Sequence, residues 1–397
     1  MKSSSDSSAA GGFEVLSLVR YGCLSGLLSL STWLLILLPR FLYERGWTGN
    51  QVGWIMGVYS LFSLIFTLGC IPIARNLGGL RLARLGAAVG VISGVLYGIP
   101  VSYPVVVLAA RAAHSTAAAF VYTGALLQLV SSVPLSIRGR MMSYFSLPGF
   151  VMIGVGPWLA EWLVHQWGFE VIPFALVLIF TIIIALLTKL VSPVRNEIGA
   201  MRLTFTDLLP TSVGKLTSVL VLSIVFGIAF ASWTTLLAPA LVSLGRGAVS
   251  NFGWGYATGG ILSALAVSQK FKSQSRRLGG IATLFLFSLG LVLIPVAVEV
   301  WQLAFIGALC GTGHGIFYPA LSSEAAERFH PMHLESGTAL YLASSSLGAF
   351  MGSPVWGSVA DAAGYAVVFV SSASLLSLTT VGFILRQRRG GHASNTV

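Results

Sequence analysis

The chain has 397 residues, of which 55% are hydrophobic and only 9% charged, with a mean hydropathy of +0.87. A soluble domain carries about 25% charged residues, so a water-soluble globular fold is excluded. The formal net charge is +11, yet no soluble domain remains to present a basic face, which excludes nucleic acid as a partner.

A bilayer core about 30 Å thick needs roughly 20 apolar residues per helical crossing. Reading the chain for such runs, broken at charges and turn residues, predicts twelve spans. A tail over 1–14 comes first, because MKSSSDSSAAGG is Ser- and Gly-rich low-complexity sequence. The apolar run that follows is too long for a cleavable signal peptide, and no small-residue cleavage pattern follows it. Six spans are expected at 15–38, 51–73, 82–99, 103–130, 141–163 and 170–191. Beyond a polar linker at 192–216, six more fall at 217–243, 250–268, 278–298, 301–325, 336–359 and 365–385. The third and eighth are short.

Every span must be a helix, since lipid offers no partner to backbone N–H and C=O groups. A β-barrel would show alternating segments of about ten residues, whereas these runs are continuous. The predicted fold is therefore all-α, with one six-helix bundle over 15–191, a second over 217–386 and a tail at 387–397. Cys23, Cys70 and Cys310 all fall inside spans, so neither a disulfide framework nor a zinc cluster is indicated.

The basic residues report the threading. Nineteen of the 23 Lys and Arg fall on one side, in or next to both terminal segments and every second loop. Arg40, Arg45 and Arg246 fall on the other, and Arg111 lies within a span. Cytoplasmic loops collect Lys and Arg, which puts both termini in the cytoplasm, with a bacterial inner membrane as the expected location.

The halves also echo each other. PLSIRGRMMSYFSLPGFVMIGVGP (134–157) precedes PMHLESGTALYLASSSLGAFMGSP (331–354) by 197 residues, aligning Pro134, Tyr144 and Pro157 with Pro331, Tyr341 and Pro354. Each stretch is a loop followed by the fifth span of its half. Parallel six-span repeats with a midplane site between them are a transporter architecture.

Four segments carry a resemblance to a known family. They are the basic loop GCIPIARNLGGLRLARLG (69–86), RAAHSTAAAF (111–120), the Gly- and Pro-bearing fifth span, and GTGHGIFYPALSSEAAERF (311–329) with the Gly-rich span after it. Over essentially its whole length the chain resembles the major facilitator superfamily, and the last segment looks most like bacterial drug- and metabolite-efflux members, including metallophore exporters. The resemblance implies twelve helices in two pseudo-symmetric bundles that rock about a midplane cavity, and a mechanistic arginine at Arg111. One departure stands out. The family loop usually reads Gly-x-x-x-Asp-Arg-x-Gly-Arg-Arg, and here Ala74 or Arg75 takes the place of the acid. QKFKSQSRRLGG (269–280) in the second half also lacks one.

Ionisable residues within spans are few. A charge at the bilayer centre costs about 2.5–3.5 kcal/mol on insertion scales, so Arg111, about 10 Å deep at 1.5 Å per residue, must face protein, water or a partner. On a helix Arg111, Ser115, Ala118 and Tyr122 share a stripe with His114 at its edge. His314 occupies the related span of the second half, and histidine titrates near physiological pH. Asp and Glu fall near the ends of spans, none at mid-depth. The expected substrate and proton pathway is Arg111, His114, Tyr122, His314, Tyr318, Trp33, Trp233 and Tyr256, with Arg75, Arg81 and Glu324 at the gate.

No phosphate-binding Gly-Lys-Ser/Thr loop is present, so ATP is not the energy source; no cofactor, metal cluster or enzymatic site is expected. The reading is a monomeric secondary transporter, in contact with lipid, that moves a small organic solute with protons as the coupling ion, by efflux. An importer or facilitator of a small carboxylate or similar nutrient, or a membrane scaffold or sensor that moves nothing, are the alternatives. Tags on the two ends should both be reached only after the cytoplasmic face is exposed; labelling from opposite faces would overturn the topology.

Overall fold

The computed structural model describes residues 4–100, 102–132, 135–190, 213–267, 274–326 and 334–393. Every regular element among them is helical. The first span is α1 (Ser4–Leu34), a 3₁₀ turn at Leu35–Leu37, and α2 (Leu38–Glu44). There follow α3 (Gly49–Leu77), α4 (Gly79–Tyr97), α5 (Pro104–Ser132), α6 (Leu135–Trp167) and α7 (Val171–Thr188). The second half holds α8 (Val213–Ser243), α9 (Val249–Val267), α10 (Gln274–Ala282) with α11 (Leu284–Leu293), α12 (Val300–Ala326), α13 (Leu334–Ala363) and α14 (Tyr365–Ala393). Six plus six spans result. The linker expected at 192–216 lies outside the described residues up to 212.

Several boundaries differ from expectation for local reasons. Helix α1 begins at Ser4, inside the stretch assigned to a tail. The first span runs on to Glu44 instead of stopping at 38. Pro39 falls in the first turn of α2, where a missing N–H removes no intrahelical bond. Arg40 and Glu44, one turn apart, then pair at 2.7 Å. The ninth span is broken between α10 and α11 at Thr283. Its hydroxyl donates to the Gly280 carbonyl at 2.6 Å and reaches the Gly313 carbonyl at 3.1 Å.

Ten described stretches are long and apolar enough to cross a membrane. Helices α9 and α13 are not among them, because Gly and Ser replace large apolar residues along both. In lipid, helices associate by close packing and not by a hydrophobic drive, and this pair is built for it. A methyl group at Gly255 would overlap the Ala304 carbonyl of α12, and one at Gly311 the Tyr256 carbonyl. On α13, Gly348 meets the Ile224 carbonyl of α8 in the same way.

Consecutive spans alternate in direction. Both described termini and the helix ends at 77, 132, 190, 267 and 326 therefore share one end, called here the termini end. The tight turns near 45–48, 98–100, 168–170, 244–248, 297–299 and 364 share the other, the far end. Within and between halves the packing repeats: α6 lies on α1 and α9, while α13 lies on α8 and α3. The first and seventh spans are the most enclosed, each with 61% of its most apolar stretch buried. They are the inner helices.

Replacing Gly255 with Val should force α9 and α12 apart and cost about 1–3 kcal/mol, read as a lowered melting temperature in detergent. Gly22→Ala, with nothing within 4 Å of the added methyl, should leave melting unchanged.

Candidate substrate and proton pathway

The central groups form two clusters. In the first half, Arg111 and His114 sit one turn apart on α5, exposed by only 5% and 0%. The guanidinium carbon lies 4.7 Å from the centre of the Tyr59 ring, a cation–π distance. The Tyr97 hydroxyl lies in the same field. Arg111 Nε has no hydrogen-bond partner, and among the described residues no carboxylate is within ion-pair range of it. His114 Nε2 pairs with the Ser31 hydroxyl at 3.1 Å, while its Nδ1 is unpartnered. Tyr59, Tyr97 and Phe180 enclose the imidazole edge-on at 5.6, 6.3 and 5.8 Å.

The α5 stripe inferred from helical spacing is thus split. Its upper part packs on α3, where the Ser115 hydroxyl donates to the Tyr59 carbonyl at 2.5 Å. Its lower part is open: Tyr122 is 37% exposed, packs on Phe145 at 5.2 Å and is held by Ser146.

The second cluster surrounds His314. The Tyr256 hydroxyl and His314 Nδ1 are 2.5 Å apart, and in the Nε2–H tautomer the phenol donates. Phe150, Phe226, Phe230 and Tyr318 ring the imidazole at 5.1–6.0 Å. Phe150 comes from α6, so this wall spans both halves. On the interface Trp33 stacks on Trp233 at 5.5 Å and 11°. Trp233 in turn lies 5.2 Å from Tyr256, with its own indole N–H unpartnered. Tyr122 lies near Tyr318 across the interface.

Five of the eight expected pathway residues therefore meet in one aromatic group: Trp33, Trp233, Tyr256, His314 and Tyr318. Tyr122 borders it. Arg111 and His114 form a separate, more deeply buried pair, and His314 is only half-buried. At the gate, Arg81 is exposed, Glu324 is 5% exposed near the termini end of α12, and the Arg75 side chain lies outside the described residues.

Sequence reasoning missed Phe150, Phe226, Phe230 and Tyr59, which no periodicity separates from ordinary apolar residues of a span. It also missed a strong signal. At an offset of 200 residues, Trp33, Pro39, Gly53, Trp54 and His114 match Trp233, Pro239, Gly253, Trp254 and His314. The stacked indoles and the two imidazoles are counterparts in the repeat.

A family model for the Major Facilitator Superfamily matches residues 22–297 and 237–396. No curated protein matches the chain by sequence. Among solved structures, a POT family transporter in complex with a thioalcohol-conjugated peptide aligns with a TM-score of 0.77 at 12% identity, covering 94% of this chain and 96% of that one. A bacterial homologue of the human lysosomal transporter Spinster, inward-facing and unoccupied, gives 0.75 at 12%, covering 94% and 97%. The human organic anion transporter MFSD10 gives 0.67 at 15%, covering 93% and 98%. At these identities the likeness is one of fold. With the family model spanning nearly the whole chain, the protein belongs to the Major Facilitator Superfamily.

Proposed function

We propose that the protein is an alternating-access transporter of a small organic anion or amphipathic solute, working as a proton-coupled exporter with both termini in the cytoplasm. The fold is that of secondary transporters, not of enzymes, and its solved relatives carry solutes as different as peptides and organic anions. Fold alone does not select a substrate. The observation that carries the reading is Arg111, a buried guanidinium with no carboxylate beside it among the described residues. An uncompensated buried charge is expensive, and Tyr59 offsets only part of that cost. An anionic group on the solute supplies the missing partner.

The aromatic group supports the rest. Trp33, Trp233, Phe226, Phe230 and Tyr318 offer flat apolar faces, with the Tyr256 and His314 polar edges set among them. Such a lining suits a solute with a planar or amphipathic body. Glu44, Glu161, Glu170, Glu299 and Asp361 all belong to the far end and Glu324 to the termini end, so His314 is the proton carrier best placed at mid-depth.

In proteoliposomes Arg111→Ala should lower solute flux at least about ten-fold, the effect of losing one charge-assisted contact, with unchanged protein in the membrane. Unchanged flux would reject Arg111 as the anion site. A protein that moves no solute under any imposed gradient would be a scaffold. His314→Asn should abolish the response of flux to an imposed pH gradient while solute exchange continues. A pH response that survives would remove His314 from the proton path.

A further inference from the structure

Two of the five far-end acids, none of which the substrate reading uses, reach across the molecule: Asp361 on α13 and Glu161 on α6. Each comes from one half and reaches the first turn of a helix in the other half. Asp361 Oδ1 accepts from the Gly49 N–H at 2.7 Å and Oδ2 from the Asn50 N–H at 3.0 Å. Glu161 Oε1 accepts from the Ser250 N–H at 3.3 Å and also faces the Val249 amide.

The first turn of a helix has donors with no intrahelical partner, and a carboxylate there is favoured by the helix dipole. Normally a local residue supplies the cap. Here α3 is capped locally only in part: Thr48 and Gln51 satisfy each other, and the Val52 N–H reaches the Thr48 carbonyl. Gly49 and Asn50 are left to the opposite half. In α9 the Asn251 N–H is satisfied by the Ala248 carbonyl, and Val249 and Ser250 are again left to the opposite half.

Gly49 and Val249, and Asn50 and Ser250, are counterparts at the offset of 200. The backbones meet closely beside each acid. A methyl group at Gly53 would overlap the Ser353 carbonyl, and one at Gly253 the Ile153 carbonyl. Asn50 Nδ2 adds a 2.7 Å bond to Ser358 Oγ on the Asp361 side.

We infer that Asp361 and Glu161 form a two-point latch that holds the far end closed, each acid serving as the missing N-cap of a helix in the other half. The inference rests on the alternating-access reading, because the latch has work to do only if the halves part at this end. When they part, both clasps break and four amides pass to water. Asp361 makes the shorter bonds, so its clasp is the stronger.

The test is a distance measurement between nitroxide labels at Gln166→Cys and Val298→Cys, one on each half at the far end and both exposed, with Cys23, Cys70 and Cys310 replaced. Asp361→Asn and Glu161→Gln keep side-chain shape and remove charge. Each should enlarge the far-end-open population, Asp361→Asn on the order of five-fold and Glu161→Gln less, with the double variant the largest. Melting temperature and elution volume should stay near those of the parent, which separates unlatching from misfolding. If the parent shows a far-end-open population without added solute and the variants only match it, the latch is wrong and rocking stands. If neither parent nor variant ever shows the longer distance, rocking itself fails and the latch with it.

Discussion

An unsatisfied polar group is costly in hydrocarbon, and the placement of the described charges follows from that. The backbone closes its own hydrogen bonds in helices, and ionic side chains retreat to the two ends. Arg40 pairs with Glu44 and Arg45 with Glu170 at the far end, at 2.7 and 3.1 Å. Arg111 alone among the described cations is held at depth against an aromatic face, without an acid. On the proposed reading, an anionic group of the solute is the partner that this charge lacks.

The architecture divides its work between small and large residues. Glycines on α3, α9, α12 and α13 let backbones touch, both within a half and between the halves. Aromatic residues fill the centre, where the Trp33–Trp233 stack and the His314 ring belong to both halves. At the far end the bonds are polar and few, set at helix starts that water can cap once they separate. A structure that must close firmly yet open reversibly is well served by such bonds.

Much of the fold was legible because the membrane reduces it to length and charge. Twelve runs, a polar linker and nineteen basic residues on one side led to the six-plus-six arrangement. Helix ends were less legible: Pro39 reads as a stop but occupies a first turn, so the first span continues to Glu44. Faces were hardly legible at all. Phe226 is buried beside His314 and Phe305 is 55% exposed, yet both are apolar residues within spans, since lipid and protein interior demand the same chemistry. Polar residues stood out against that background, which is why Arg111, His114 and His314 were found and Phe150 and Phe230 were not. The repeat was read at 197 residues from the fifth and eleventh spans, whereas Trp33, Gly53 and His114 repeat at 200. A change of offset between spans hides such a match from any single alignment.

The central claim is that a buried guanidinium with no carboxylate beside it recruits negative charge into an aromatic site. Thermal melting of the purified protein against a panel of matched organic anions, cations and neutral solutes tests it most directly. The account requires that anionic or amphipathic solutes raise the melting temperature of the parent and lose that effect in Arg111→Ala. Stabilisation by cations alone, or by anions equally in both proteins, would contradict it.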